Sequence, residues 1–304
     1  MTRSGVSWCV GPDGTPGFSW NPSAGCRPLS RGCERCWASR LASTRLAHLP
    51  EYAGLAKDGA WLGHARFFAD RLAEPLRRKK PTGICVSLMG DLFHSKITDS
   101  QIFQVWQTMC ATPWHRYYVL TKRPRRTRSF LEMVDPMGVH VENDLPGRWP
   151  LPNGWLGVSI EDRASLPRVD DLRATPAAVR YLSIEPLLED LGRLDLSGIS
   201  WVIVGGESGP AARPCHVQWI RSIMDQCKAA GVACFVKQLG ATCQERNDAG
   251  FDGGDGEWPS GTRTLGGERY QGAPTLLNLH DRAGAEPDEW PEDLRVRQMP
   301  GRKT

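Results

Sequence analysis

Three thiols fall within one short loop, Cys26-Arg-Pro-Leu-Ser-Arg-Gly-Cys33-Glu-Arg-Cys36, which opens off the apolar segment Phe18-Ser-Trp20. Three thiolates hold a metal or cluster while leaving one coordination position free, and an open position separates a reactive site from a closed structural one. Gly25 and Gly32 stand just before two of the cysteines and give the backbone the freedom to fold around a metal. Two plainer readings stand beside this one. Cysteines are often small core hydrophobes, although core thiols seldom cluster among residues such as Pro28, Ser30, Arg31, Glu34 and Arg35. A structural zinc site wants a fourth ligand. No second C-x-x-C exists, and the nearest histidines, His48 and His64, read as part of a helix and its following loop.

The elements that position this loop follow a repeated beat. Short apolar runs at Gly17 to Trp20, Ile84 to Met89, Tyr117 to Leu120, Trp155 to Val158, Val179 to Ser183, Trp201 to Val204 and Val232 to Val236 read as strands. Between them, helices are expected over Ala38 to Leu49, Ala60 to Leu76, Thr98 to Ala111, Arg125 to Val134, Leu166 to Arg173 and Val217 to Ala230. Arg77-Arg-Lys-Lys80 and Pro81 end the second of these. Such alternation predicts parallel βαβ units, and so many in series favour a whole or partial barrel over a doubly wound sheet. Asp91, Lys122, Ser159, Glu161, Glu185, Glu207 and Lys237 each come just after a strand, as the cysteine loop does. In a barrel such positions converge on one mouth, where sites of this architecture are built.

After Gly240 the beat is lost. The expected division is a partial barrel over 1–240, with the cysteine loop at 26–36, and a C-terminal extension over 241–304. Gly and charge over Gly250 to Gly272 read as a mobile loop, and a Gly/Pro-rich loop is expected from Pro136 to Pro152. Apolar content returns at Thr275 to Leu279 and Trp290 to Met299, in a tail that would cover either the barrel bottom or its mouth.

Composition is that of a globular protein, with 40% hydrophobic and 24% charged residues and no apolar run long enough to span a bilayer. Ten irregularly spaced cysteines and the lack of an export signal predict a reducing, cytoplasmic setting rather than a disulfide framework. Net charge is +4, yet residues 66–128 hold thirteen Lys/Arg against four Asp/Glu. That asymmetry suits an anionic partner, although an ordinary solvated face explains it as well.

Several stretches together carry a resemblance: Trp20-Asn-Pro-Ser-Ala-Gly-Cys26, Cys33-Glu-Arg-Cys36, Asp91-Leu-Phe-His94, Leu120-Thr-Lys-Arg-Pro124, Trp155-Leu-Gly-Val-Ser159, Val204-Gly-Gly-Glu-Ser-Gly209 and Glu289-Trp-Pro-Glu-Asp-Leu-Arg295. Over nearly the whole chain they resemble a phage-associated three-cysteine family of unknown function, itself similar to radical S-adenosylmethionine (SAM) enzymes and to spore photoproduct lyase in particular. The resemblance implies a partial (βα)6-type barrel and a [4Fe-4S] cluster on Cys26, Cys33 and Cys36, with SAM on the unligated iron. An electron from the cluster, supplied by a donor such as flavodoxin or ferredoxin, would split SAM to a 5′-deoxyadenosyl radical that abstracts a substrate hydrogen. The spacing departs from the usual radical SAM loop, C-x3-C-x2-C; here it is C-x6-C-x2-C.

Matched strand by strand, the lyase's SAM-contacting lysine and serine fall on Lys122 and Ser159, and an aspartate after its second strand falls on Asp91. Leu88 stands where the lyase has a hydrogen-donating cysteine, which implies a different product, and Cys85 is expected in the core. The Gly205-Gly206 turn would let backbone approach the cofactor closely. Glu161, Glu185 and Glu207 are candidates for substrate binding or proton transfer. Arg123, Arg125, Arg126 and Arg128 at the mouth would neutralise phosphates, which, with the lyase and phage resemblance, favours a nucleobase, nucleotide or nucleic-acid substrate. Two readings from other classes remain: a non-catalytic nucleic-acid-binding protein with zinc or a structural cluster on the cysteines, and a barrel hydrolase with a divalent ion on Asp91, Glu185 and Glu207.

Overall fold

The computed structural model describes residues 1–134, 150–245, 275–277 and 279–301. Its centre is an eight-stranded sheet of β1 (Thr2–Arg3), β2 (Phe18–Trp20), β3 (Gly83–Val86), β4 (Arg116–Thr121), β5 (Gly154–Ser159), β6 (Val179–Ile184), β7 (Trp201–Gly205) and β8 (Ala233–Gln238). The strands lie side by side in chain order. Only β1 runs antiparallel to its neighbour; every other pair is parallel. β5 and β7 are buried at every residue, as parallel strands covered on both faces are. This is the expected parallel α/β sheet, and it stays open, because β1 and β8 are its edges.

Side-chain alternation sorts the two faces. Outward residues such as Tyr117, Val119, Leu156, Leu182 and Val202 pack into the main core beneath α2 (Asp99–Cys110), α3 (Pro124–Val134), α4 (Arg168–Ala174) and α5 (Val217–Ala230). Helix α2 starts on a capping box of Thr98 and Gln101 and buries Ile102, Val105, Trp106 and Met109, the face its spacing predicts. Inward residues form a second cluster of Cys85, Tyr118, Trp155, Tyr181, Trp201 and Phe235, closed from below by Trp8, Cys9 and Met299. The Trp201 ring lies 6.0 Å from Trp155, 5.7 Å from Tyr181 and 6.1 Å from Trp8. This aromatic plug occupies the amino-terminal half of the interior. Gly157 makes room for it, since a Cβ there would sit 2.3 Å from the Tyr181 ring. Cys85 is thus a core residue, in this inner cluster, with Leu88 packed against it.

Two expected helices are corrected. Helix α1 spans only Trp37–Ser43 and ends at Thr44, which leaves helical φ/ψ. Residues 60–76 form no long helix but short strands Ala60–Trp61 and Arg66–Phe67, then a single 3-10 turn over Ala69–Arg71. Gly59 and Gly63 take positive φ of 81°, and Ser23–Ala24 pair with Arg66–Phe67, so strand pairing outcompetes the helical apolar spacing.

Beyond β8, Cys243–Glu245 pair with Cys215–His216 and with Thr275–Leu276. The tail then runs along the open edge of β8, where Val236 N–H donates to Val296 O at 2.8 Å and Cys234 and Gln298 bond reciprocally. Trp290 and Leu294 join the main core and Met299 the inner plug. The stretch 250–272 and nearly all of 136–152 lie outside the described residues. Among the described residues no helix is long and apolar enough to cross a membrane.

Candidate metal and cofactor site

The cysteine loop leaves the carboxyl end of β2 and is pinned along its length. Gly25 N–H donates to Met89 O at 2.9 Å, and Gly63 N–H donates to Cys26 O at 3.2 Å. Gly25 has φ +94°, and a Cβ there would lie 2.3 Å from His64 O, so the approach to Cys26 requires glycine. In mid-loop the turn Arg31–Cys33 rests on the end of β5, where a Cβ on Gly32 would meet Glu161 Cγ at 2.5 Å. Cys36 leads straight into α1. Cys26, Cys33 and Cys36 are free and partly exposed, as is Cys110 at the end of α2, whereas Cys9, Cys85, Cys215, Cys227, Cys234 and Cys243 are buried.

Cations flank these thiols. Lys122, at the end of β4, pairs with Glu161, which is fully buried and also accepts from Arg168 Nη1 at 2.8 Å and Ser30 Oγ at 3.0 Å. Burial draws the Lys122 ammonium down to about 8, against the opposing pull of Cys33 and Cys36. Against the cost of its own burial, Lys122 and hydrogen bonds from Leu29 N–H and Ser30 hold the Cys33 thiol below its ordinary range. Burial pushes Cys26 up to about 11; Asp91 adds to this and Arg123 opposes it.

Among the described residues no three His, Cys, Asp or Glu side chains are grouped as one metal ion requires. Three cysteines with no fourth protein ligand leave a structural zinc site incomplete, whereas three thiolates would suffice for a cluster whose remaining iron is free of protein. The donor chemistry fits a cluster with one protein-free iron: three uncrosslinked thiols, with Lys122 and Arg123 beside them to balance thiolate charge.

Asp91 is fully engaged by the protein. Its carboxylate accepts from Phe93 N–H at 2.9 Å, Thr121 Oγ1 at 2.9 Å, Lys122 N–H at 3.2 Å and Arg123 Nη1 at 2.7 Å. It therefore locks the turn after β3 to the end of β4. Arg123 continues this lock to the loop, with Nη1 3.6 Å from Cys26 Sγ and Nη2 3.3 Å from Arg27 O.

Glu207 plays a similar part on the opposite flank. It pairs with Arg213 at 2.6 Å and Arg35 at 3.4 Å, while Arg213 also donates to Arg31 O and Glu34. Despite burial, these bonds keep the Glu207 carboxyl below its ordinary range. The backbone of the next strand crowds the preceding glycines. A Cβ on Gly205 would meet Gln238 O at 2.9 Å, and one on Gly206 would meet Leu239 O at 2.2 Å.

Inside the mouth, above the aromatic plug, a different group gathers. Ser159 and Ser183 are register partners on β5 and β6. Ser183 Oγ donates to Glu185 Oε2 at 2.9 Å, and Lys237 Nζ lies 2.9 Å from Glu185 Oε1. Ser183 was not singled out by sequence, and Lys237 only as a residue after a strand. The period-two series Tyr181, Ser183, Glu185 and Phe235, Lys237 was the signal that would have found them.

The arginines of α3 and its approach are held by protein groups. Arg126 donates to Phe93 O, His94 O, Ile97 O and Asp99, closing the loop before α2. Arg125 and Arg128 pair with Asp171 of α4. Arg125 remains 86% exposed, so of this set it is the most open to solvent.

The family described as "Protein of unknown function (DUF5131)" matches residues 4–284, and the chain belongs to it. No curated protein matches. Two solved structures are similar: a tyrosine-to-phenylalanine variant of spore photoproduct lyase (13% identity, TM-score 0.38, 74% of this chain and 64% of that one) and a cysteine-to-alanine variant of the same lyase (13%, 0.35, 67% and 58%). The chain therefore spans less than two thirds of the length of either.

Proposed function

We propose that this member of the DUF5131 family is a radical SAM enzyme acting on a nucleobase, free as a nucleotide or within DNA or RNA, in modification or repair. The observation that carries the reading is the cysteine loop. Three free, partly exposed thiols stand at the carboxyl edge of an open parallel sheet, and one of them, Cys33, is linked through Ser30 to the Lys122–Glu161–Arg168 network. When bound there, a [4Fe-4S] cluster with SAM supplies one-electron chemistry that no side chain offers. Cys26, Cys33 and Cys36 would hold the cluster, and a small reduced electron-transfer protein would serve as donor.

The chain's own residues do the rest. Lys122 and the Ser159 hydroxyl would offer an ammonium and a donor to the SAM carboxylate; Glu161, itself held by Arg168, fixes the lysine in place. Asp91 and Arg123 hold the loop against β3 and β4, and Glu207 and Arg213 hold it from the other side. Glu185 and Lys237, paired at 2.9 Å, would contact the substrate. The aromatic plug excludes water from below.

Anaerobic reconstitution with iron and sulfide, followed by SAM and dithionite, tests this reading. Release of 5′-deoxyadenosine, measured by mass spectrometry and lost in Cys33→Ala, is the expected result. A protein that binds zinc stoichiometrically and leaves SAM intact overturns it.

A further inference from the structure

At the opposite end of the sheet from the cysteines lies an open concavity of about 440 Å³, lined by Met1, Phe18, Glu74 and the run Arg77-Arg78-Lys79-Lys80. It sits at the amino-terminal ends of β2 and β3, and nothing in the site described above uses it. Arg78 forms its floor: the guanidinium stacks 3.9 Å from the Phe18 ring and Nε donates to Thr82 Oγ1 at 2.6 Å. Arg77, Lys79 and Lys80 are exposed around it. Arg3, the register partner of Phe18 on β1, is a further exposed cation on the neighbouring strand.

Little negative charge offsets this group. Glu74 is taken by the Met1 amino group at 2.6 Å in a largely covered pair, and Lys80 stands 3.7 Å from Asp13 in an exposed one. Among the described residues no carboxylate pairs with Arg77 or Lys79. The contrast with α3 is direct, because Arg125 and Arg128 share Asp171 and Arg126 is spent on backbone carbonyls.

We propose that this basic concavity is a phosphate-backbone anchor for nucleic acid, separate from the barrel mouth. A chain of phosphates matches a run of consecutive cations of which, among the described residues, Arg77 and Lys79 have no carboxylate partner and Lys80 only an exposed one, and each contact releases condensed counterions. A lipid surface fits less well. The aromatic rings here face cations, with Arg78 over Phe18 and Lys79 Nζ 5.8 Å from the Trp114 ring, and the apolar surface beside the basic run is one exposed side chain, Leu76, rather than an apolar helix face. The anchor does not rest on the cluster, and Cys26→Ala/Cys33→Ala/Cys36→Ala is expected to bind as wild type does.

Fluorescence anisotropy of an end-labelled DNA duplex, titrated with the full chain over a series of salt concentrations, tests the inference. Arg77→Ala/Lys79→Ala/Lys80→Ala is expected to lose at least about tenfold in affinity at low salt. The slope of log K against log[salt] is expected to fall by about 3, at roughly 0.9 per phosphate contact. Arg77→Lys/Lys79→Arg/Lys80→Arg and Arg125→Ala/Arg128→Ala are expected to retain binding. No binding by wild type, an unchanged slope in the triple alanine variant, or loss in Arg125→Ala/Arg128→Ala would overturn it. So would binding to phosphatidylserine vesicles that depends on the three cations while duplex binding does not.

Discussion

The Arg123 guanidinium bridges Asp91 and Cys26: one nitrogen, Nη1, stands 2.7 Å from the carboxylate and 3.6 Å from the sulfur. Asp91 accepts from Phe93, Thr121 and Lys122 as well, so this contact ties the cysteine loop to β3 and β4 before any cofactor is present. Removing one partner of a buried pair strands the other.

Asp91→Ala is therefore expected to destabilise the metal-free protein by about 3 to 5 kcal/mol, read as a shift in the urea midpoint. If Asp91 acted only as a cofactor ligand, the metal-free protein would unfold as wild type does and the loss would appear only on adding SAM.

His94 gives a pH dependence of definite sign. It is buried, and that burial, with Arg123 nearby, draws its pKa down to about 4. Below about 6.5 the unfolded chain takes up a proton that the folded chain refuses. Stability then falls as pH drops from about 6.5 to 4, by up to roughly 3 kcal/mol from this residue. His94→Gln should flatten the dependence in that window; an unchanged curve would show that His94 titrates normally.

Gly32 sets how closely the loop lies on β5, because its Cβ would sit 2.5 Å from Glu161 Cγ. Gly32→Ala is expected to cost about 1 to 3 kcal/mol by overpacking and to lower iron incorporation, with far-UV circular dichroism unchanged. Full iron content in this variant would show that the loop tolerates displacement.

Glu185 pairs with Lys237 at 2.9 Å and accepts from Ser183, and among the described residues neither is hydrogen-bonded or ion-paired to the cysteine loop. Glu185→Gln and Lys237→Met are expected to leave SAM cleavage in the absence of substrate near wild type and to weaken its stimulation by substrate about tenfold or more. Loss of the unstimulated cleavage would instead assign the pair to the cofactor.

Much of this arrangement was legible in the sequence because parallel strands are short apolar runs that stop at a polar residue. Val179 to Ser183 and Trp201 to Val204 are read almost to their ends. The strand over Ile84 to Met89 was overextended, since Ser87 takes positive φ and turns the chain early toward Asp91. Residues 60–76 were misread because their apolar spacing allows a helix, while the competing partner, Ser23–Ala24, lies far away in the chain. Arg126 shows the same limit in the site: no local pattern reveals that a guanidinium will close carbonyl groups some thirty positions earlier. The Glu185–Lys237 pair likewise depends on β6 and β8 both facing inward.

The central claim is that Cys26, Cys33 and Cys36 together hold an iron–sulfur cluster. The most direct measurement is iron and acid-labile sulfide per chain after anaerobic reconstitution, compared between wild type and Cys26→Ala/Cys33→Ala/Cys36→Ala. About four of each in wild type and none in the triple variant is the predicted result; equal loading of the two proteins, or none in either, would contradict it.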